Sequence, residues 1–152
     1  MNIIFLDVDG VLNSLDYAKK LYEKDHIPRS CYKFPFDPRC LNNLKILVEL
    51  TNSYLVITST WRMSNIGKDT LLFELKKYGL DDRVIGYTDV LHTNRGQEVS
   101  KYLESLDKDV SFIILDDDCD FDGLEEYLIK TSFKNGLTED NVKLGVRKLL
   151  KL

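Results

Sequence analysis

The amino-acid sequence predicts an α/β protein with a parallel β-sheet that helices cover on both faces. Short continuous apolar runs, typical of buried strands, alternate with segments in which apolar residues recur at helical spacing. Three of these runs are followed directly by acidic or hydroxyl residues. The length of 152 residues suits one domain, residues 1–152, with a small insert at about residues 14–36.

Five segments are predicted to be strands. The first, Asn2–Leu6, is an apolar run that ends at Asp7. The others are predicted at residues 54–57, 83–87, 111–115 and 127–131.

Four helices are predicted from capping signals and apolar spacing. Asp37 followed by Pro38 is a typical helix start, with an aspartate cap and proline at the first helical position. Thr138 is the predicted cap of the last helix. The apolar positions of the four helices are Leu41, Leu44 and Val48; Leu71, Leu72, Leu75 and Tyr78; Val99, Leu103 and Leu106; and Val142, Val146, Leu149 and Leu150.

Polar residues follow three of the predicted strands. Asp7 follows the first, Thr58 the second, and Asp116 and Asp117 the fourth. In a parallel α/β sheet, ligands bind just beyond the carboxyl ends of the strands, so these residues are expected to meet at one edge. This edge is the candidate active site.

The acidic residues of this edge suit phosphate chemistry. Asp7 and Asp9 are two residues apart, and Gly10 allows the chain to bend directly after them. Together with Asp117 they offer hard oxygen ligands, which favour Mg²⁺. One carboxylate can attack phosphorus, and a second can protonate the leaving alkoxide and then activate water.

The same residues carry a family resemblance. The segment Asp-Val-Asp-Gly-Val-Leu-Asn at residues 7–13 resembles the first motif of the haloacid dehalogenase (HAD) superfamily, D-x-D-G-[TV]-L. Thr58 after its strand resembles the second motif, and the acidic pair at residues 116–117 resembles the fourth. This resemblance implies an HAD-like Rossmannoid three-layer sandwich with a mainly parallel five-stranded sheet and a minimal, flap-type cap.

A closer resemblance is to one subgroup, the HAD domain of Swiss Army Knife RNA repair proteins. That subgroup is similar in turn to the phosphatase domains of polynucleotide kinase-phosphatase. The segments that carry this resemblance are Thr-Ser-Thr-Trp-Arg at 58–62, Arg-Gly-Gln-Glu-Val at 95–99 and Gly-Leu-Thr at 136–138.

The resemblance implies a role for each matching residue. Asp7 would be the nucleophile, Asp9 the general acid and base, and Thr58 a ligand of a phosphate oxygen. The predicted metal ligands are Asp7, Asp9, Asp117 and the backbone carbonyl of Val8, with Asp116 supporting them. The run of acidic residues at 116–120 leaves two alternatives for the last carboxylate ligand, Asp116 or Asp117. Gly10 and Ser59 are predicted to contact substrate. Arg62 follows Thr58 closely in sequence, and from that position it is predicted to bind a second phosphate or a carboxylate of the substrate.

The third motif departs from the family pattern. The family normally has a lysine there, which neutralises the phosphoaspartate. Arg95 stands where the subgroup has its basic residue, and Lys101 is the competing candidate. Arginine and lysine are not equivalent in phosphate binding, because only arginine presents a planar fork of donors.

The insert has a composition of its own. Residues 14–39 hold six basic against four acidic residues and are net +2, whereas the whole chain is net -4. Five aromatic residues lie among them: Tyr17, Tyr22, Tyr32, Phe34 and Phe36. Cations interleaved with aromatics suit a single-stranded nucleic acid. The alternative is a flap whose aromatic rings pack against the core while its lysines face water. Trp61 has a similar pair of interpretations, either stacking on a base or filling the core.

Composition excludes several other classes. No apolar run approaches the ~20 residues that span a bilayer. The N-terminus lacks a basic leader, so we expect a cytoplasmic protein. The chain has no G-x-x-x-x-G-K-[ST] loop for a kinase.

The sequence thus favours a Mg²⁺-dependent phosphomonoesterase that works through an aspartyl-phosphate intermediate on a nucleotide or polynucleotide end. The alternatives are a phosphatase for a small metabolite and a catalytically silent, metal-binding or interaction domain. The presence of both Asp7 and Asp9 argues against silence. The sequence leaves the oligomeric state open.

Overall fold

A computed structural model describes residues 1–106 and 109–152. Its sheet has five strands in the order β3-β2-β1-β4-β5. Every one of the four strand pairings is parallel, which confirms the predicted sheet. The strands are β1 Asn2–Leu6, β2 Ser53–Ile57, β3 Val84–Tyr87, β4 Ser111–Asp116 and β5 Leu128–Lys130.

The helices include the four that the sequence predicts and one more. They are α1 Leu15–Tyr22, α2 Pro38–Thr51, α3 Asn65–Lys76, α4 Arg95–Glu104 and α5 Glu139–Leu150. The Asp37 side chain caps α2 by accepting a hydrogen bond from the Arg39 N–H. Thr138 caps α5 in a reciprocal capping box with Asn141, which satisfies two backbone donors at once. The unpredicted helix, α1, lies in the insert.

Alternation along the strands builds a core on each face of the sheet. Ile4 and Leu6 of β1 face α2, α3 and α5, whereas Ile3 and Phe5 face α4. The result is three layers, as expected for an HAD-like Rossmannoid domain. The alternation also means that Asp7, which follows Leu6, belongs to the α4 side of the sheet.

The insert crosses from β1 to α2 as α1 and two 3-10 turns, Glu23–Asp25 and Arg29–Cys31. An antiparallel bridge between Asn13 and Phe36 closes it at its base. Its aromatic rings pack in pairs: Tyr22 stacks on Tyr32 with centroids 5.1 Å apart, and Phe34 packs on Phe133 at 4.9 Å. Its exposed basic residues are Lys20, Lys24, Arg29 and Lys33.

Within the described part of the chain, no helix combines the length and the apolar character needed to cross a membrane.

Candidate active site

The residues predicted for the edge of the sheet do meet there. The Asp7 N–H donates to the Leu115 carbonyl at 3.0 Å, and the Thr58 N–H donates to the Leu6 carbonyl at 3.0 Å. Both residues therefore extend the sheet ladder by one position beyond the carboxyl ends of β1 and β2. Asp116 is the last residue of β4 and pairs with Lys130 of β5. The backbone of the sheet thus holds these three residues.

A guanidinium bridges two of the carboxylates. Nη1 of Arg95 lies 2.9 Å from Oδ2 of Asp7 and 2.5 Å from Oδ2 of Asp116. Arg95 is the first residue of α4, which packs on the face to which Asp7 and Asp116 both belong. Lys101 lies elsewhere, paired with Asp89 at 2.8 Å and with 55% of its side chain exposed.

Three carboxylates form a compact group. Asp7, Asp116 and Asp117 each offer one oxygen, and these oxygens lie within 4.8 Å of one another. Asp116 is fully buried, and its second oxygen accepts from the Asp118 N–H at 2.9 Å. The Asp117 carboxylate rests against Gly10, where an added Cβ would lie 2.3 Å from Asp117 Oδ2. Gly10 also has a φ of +78°, so the turn requires glycine for both space and conformation.

Burial makes ionisation of this group unfavourable. The pKa values of Asp7, Asp116 and Asp117 are all raised, and the largest cause in each case is burial, which removes the carboxyl group from water. For Asp7 the neighbouring Asp116 raises the pKa further, while Arg95 partly offsets the rise. Burial by itself lowers the pKa of Arg95, but its two carboxylate partners together more than offset this and raise the pKa. The site therefore holds an excess of acidic groups over cations, which a further cation would stabilise.

Asp9 points away from this group. It is exposed, and no oxygen of its carboxylate belongs to the cluster of Asp7, Asp116 and Asp117. Asn13 Nδ2 donates to its Oδ1 at 2.7 Å, and Trp61 Nε1 donates to its Oδ2 at 3.2 Å. The predicted role of the Asp9 carboxylate as a metal ligand does not fit this orientation.

The predicted role of the Val8 carbonyl as a metal ligand also does not fit. Val8 is fully buried. Its carbonyl oxygen accepts from the N–H groups of Val11 at 3.1 Å and Leu12 at 2.8 Å. The turn after β1 therefore uses both lone pairs of this oxygen.

Thr58 has the hydroxyl that a phosphate would need. Its Oγ1 is fully buried and is the only such side-chain atom without a hydrogen-bond partner among the residues that the structure describes. A buried unsatisfied hydroxyl normally costs about 1–3 kcal/mol, so it requires an explanation such as a ligand. The neighbouring Ser59 is buried and caps the 3-10 turn Thr60–Met63 by accepting from the Trp61 N–H at 3.2 Å.

The Arg62 guanidinium makes all its hydrogen bonds within the protein. Its side chain is 5% exposed and forms an ion pair with Glu98 of α4 at 2.6 Å. All five guanidinium N–H groups have protein acceptors, which does not fit the predicted contact with substrate. The acceptors are the carbonyls of Thr58, Ser59, Thr88 and Asp89 and the carboxylate of Glu98.

Sequence reasoning missed the partners of Asp9 and Arg62. Asn13 lies four residues after Asp9 in the first motif, and this short spacing could have predicted their contact. Trp61 and Glu98 reach their partners only through the folded chain, since they are 52 and 36 residues away.

The fold and this acidic site define the class of protein, which is a three-layer HAD-like α/β domain whose carboxylates lie at the carboxyl edge of the sheet. The model of the family described as the HAD domain in Swiss Army Knife RNA repair proteins matches residues 3–142, and the chain belongs to that family. The resemblance inferred from the motifs is thereby confirmed. The search of curated proteins gave no match.

Proposed function

We propose that this domain is a phosphomonoesterase in which Asp7 takes up the phosphoryl group. The observation that carries the proposal is the position of the Asp7 carboxylate, buried between the Arg95 guanidinium and two further carboxylates. Burial removes the water that would otherwise solvate this nucleophile, and Arg95 keeps it in one orientation. Family membership supports the same chemistry.

The reaction divides into two displacements at phosphorus. In the first, an oxygen of Asp7 bonds to phosphorus, the bond to the ester oxygen breaks, and Asp9 gives its proton to the leaving alkoxide. In the second, Asp9 takes a proton from water as that water attacks phosphorus, and the bond to Asp7 breaks. Asp9 suits both steps because it is exposed and lies apart from the buried acidic group.

Arg95 and Thr58 would bind the phosphoryl group. Arg95 is 27% exposed on its side chain, so it is open toward the edge of the sheet while contacting Asp7. Its positive charge would reduce the repulsion between an anionic nucleophile and an anionic phosphate. The Thr58 hydroxyl would donate to a phosphate oxygen, which would satisfy its missing hydrogen bond. These positions favour Arg95 over Lys101 for the third motif.

The acidic group fits Mg²⁺. With all three carboxylates ionised, three negative charges face the single positive charge of Arg95. Asp7 and Asp117 would hold the ion. Asp116 would support them, because both of its oxygens already accept hydrogen bonds. When bound, Mg²⁺ would supply a Lewis acid that neutralises the phosphate charge.

The proposed substrate is a phosphorylated nucleotide or single-stranded nucleic-acid end. The family occurs in RNA repair proteins, and the insert carries both exposed lysines and a stacked aromatic pair. We propose that the insert acts as a small flap over an open site within one domain. A cytoplasmic location stays a prediction.

Release of inorganic phosphate tests the proposal. The substrates are an aryl phosphate and a 3′-phosphorylated oligonucleotide, each with Mg²⁺ and with chelator. Asp7→Asn removes the nucleophile. Asp82→Asn is the matched control, because Asp82 is exposed and precedes β3 at the opposite edge of the sheet.

We expect Mg²⁺-dependent turnover that Asp7→Asn abolishes and Asp82→Asn retains, with a preference for the oligonucleotide. A preference for neither substrate would point to a small metabolite. Folded wild-type protein that binds Mg²⁺ and releases no phosphate from any ester would refute the phosphatase function and favour a silent domain.

A further inference from the structure

Asp9 is exposed, yet both of its carboxylate oxygens have a fixed donor. The two donors come from different parts of the fold: Asn13 follows the turn after β1, and Trp61 lies in the 3-10 turn after β2. An exposed aspartate normally samples several rotamers. Two donors on opposite oxygens hold the carboxylate plane in one orientation.

Each donor is itself held. Asn13 is buried, and its Oδ1 accepts from the Gly10 N–H at 2.8 Å, so its amide cannot rotate without losing that bond. The Trp61 ring packs edge-to-face on Phe36 with centroids 5.2 Å apart. Phe36 is the last residue of the insert and bridges to Asn13. The base of the insert therefore connects to both donors.

We propose that Trp61 and Asn13 are positioning residues that hold the Asp9 carboxylate in one orientation. Phe36, which contacts both of them, links that orientation to the insert. The proposal rests on the proposed function, since it assumes that Asp9 transfers the proton. General acid catalysis depends on placing the acid within hydrogen-bond reach of the leaving oxygen. Small misplacements of a catalytic group can lower the rate as much as ~100-fold.

The contact is tested without any assay of activity. Trp61 is the only tryptophan, so the protein has one indole N–H resonance in a ¹⁵N-correlated NMR spectrum. Asp9→Ala removes its acceptor, and we expect that resonance to move and its hydrogen to exchange faster with solvent. Asp82→Ala, at the other edge of the sheet, is expected to leave the resonance in place. An indole resonance that Asp9→Ala does not change overturns the proposal.

The positioning role is tested by the leaving group. Trp61→Phe keeps a ring against Phe36 and removes only the indole N–H. A nitrophenolate leaves without protonation, whereas an alkoxide needs the acid. We therefore expect kcat/KM for an alkyl phosphate to fall about tenfold or more, while kcat/KM for nitrophenyl phosphate changes less than about threefold. Tyr127→Phe is the control for altering an aromatic residue, because Tyr127 stacks on Phe112 at the opposite end of β4.

Equal losses on the two substrates, or no loss on either, would overturn the positioning role and leave Trp61 as a packing residue. Thermal unfolding of Trp61→Phe shows whether a loss reflects the fold. If wild-type protein hydrolyses neither substrate, the proposed function fails. The indole resonance then decides separately whether Trp61 is bound to Asp9.

Discussion

The guanidinium of Arg62 and the carboxylate of Glu98 form a buried ion pair with Nη2 2.6 Å from Oε2. Arg62 also donates to the carbonyls of Thr58 and Ser59, and Glu98 lies one turn after Arg95 on α4. The pair therefore ties the proposed phosphate-binding turn to the helix that carries the proposed phosphate-neutralising cation. Arg62, which the sequence predicts to contact substrate, therefore stabilises the fold by joining these two segments.

Glu98→Ala is expected to destabilise the protein by about 3–5 kcal/mol, because it leaves a buried guanidinium without its counter-charge. The measurement is the free energy of unfolding from denaturant titration. Glu104→Ala on the same helix is the control; Glu104 is exposed, so its removal should change the free energy by less than about 0.5 kcal/mol. Similar values for the two variants would show that the pair does not stabilise the fold.

Arg95→Ala is expected to lower kcat/KM for an aryl phosphate about 100-fold or more, because the charge beside Asp7 is lost. Arg95→Lys should recover part of the loss, since it restores the charge without the planar fork. Lys101→Ala, whose exposed side chain pairs with Asp89, should stay within about twofold of wild type. A larger loss for Lys101→Ala than for Arg95→Ala would reverse the assignment of the third motif.

Thr58→Val is expected to lose turnover without losing stability. Valine has nearly the shape of threonine, and the deleted hydroxyl has no partner among the described residues. The matched control is Thr131→Val, whose hydroxyl donates to the Gly10 carbonyl at 2.7 Å. That variant should lose about 1–3 kcal/mol in the free energy of unfolding. A loss of stability in Thr58→Val comparable with that of Thr131→Val would contradict the structure at Thr58.

Asp117→Asn is expected to raise the unfolding temperature in chelator at pH 7 and to abolish the further rise that Mg²⁺ produces in wild type. The pKa of Asp117 is raised above its ordinary value of 3.8 by burial and by Asp7. Its ionised form is therefore less favourable in the folded than in the unfolded chain, so stability is lost as pH rises through the folded-state pKa.

The same linkage predicts that the difference between Asp117→Asn and wild type in chelator disappears below about pH 3.8, where the unfolded carboxyl is also protonated. Asp118→Asn, an exposed neighbour, is the control and should respond to Mg²⁺ like wild type. Retention of the Mg²⁺ response in Asp117→Asn would exclude Asp117 as a ligand.

The sequence predicted the strands closely, and it placed Asp7, Thr58 and Asp116 at the edge of the sheet where they lie, because both predictions depend on local signals. Each buried strand is a short apolar run, and the residue after it must lie at the carboxyl edge of a parallel sheet. The caps at Asp37 and Thr138 were equally local and begin the helices where predicted. Helix α1 was missed, since its eight residues are too few to form a stable helix without tertiary contacts.

What the sequence determined by itself was therefore the α/β sheet, its edge and the presence there of Asp7, Thr58 and Asp117. What only the tertiary structure decided was the partner of each charged or polar side chain. Arg95 and Lys101 lie on the same helix, and the packing of α4 on the sheet brings only Arg95 to Asp7. Arg62 pairs with Glu98, and Trp61 donates to Asp9. Both contacts join distant segments of the chain, so they depend on how the layers pack, and no local sequence pattern encodes that packing.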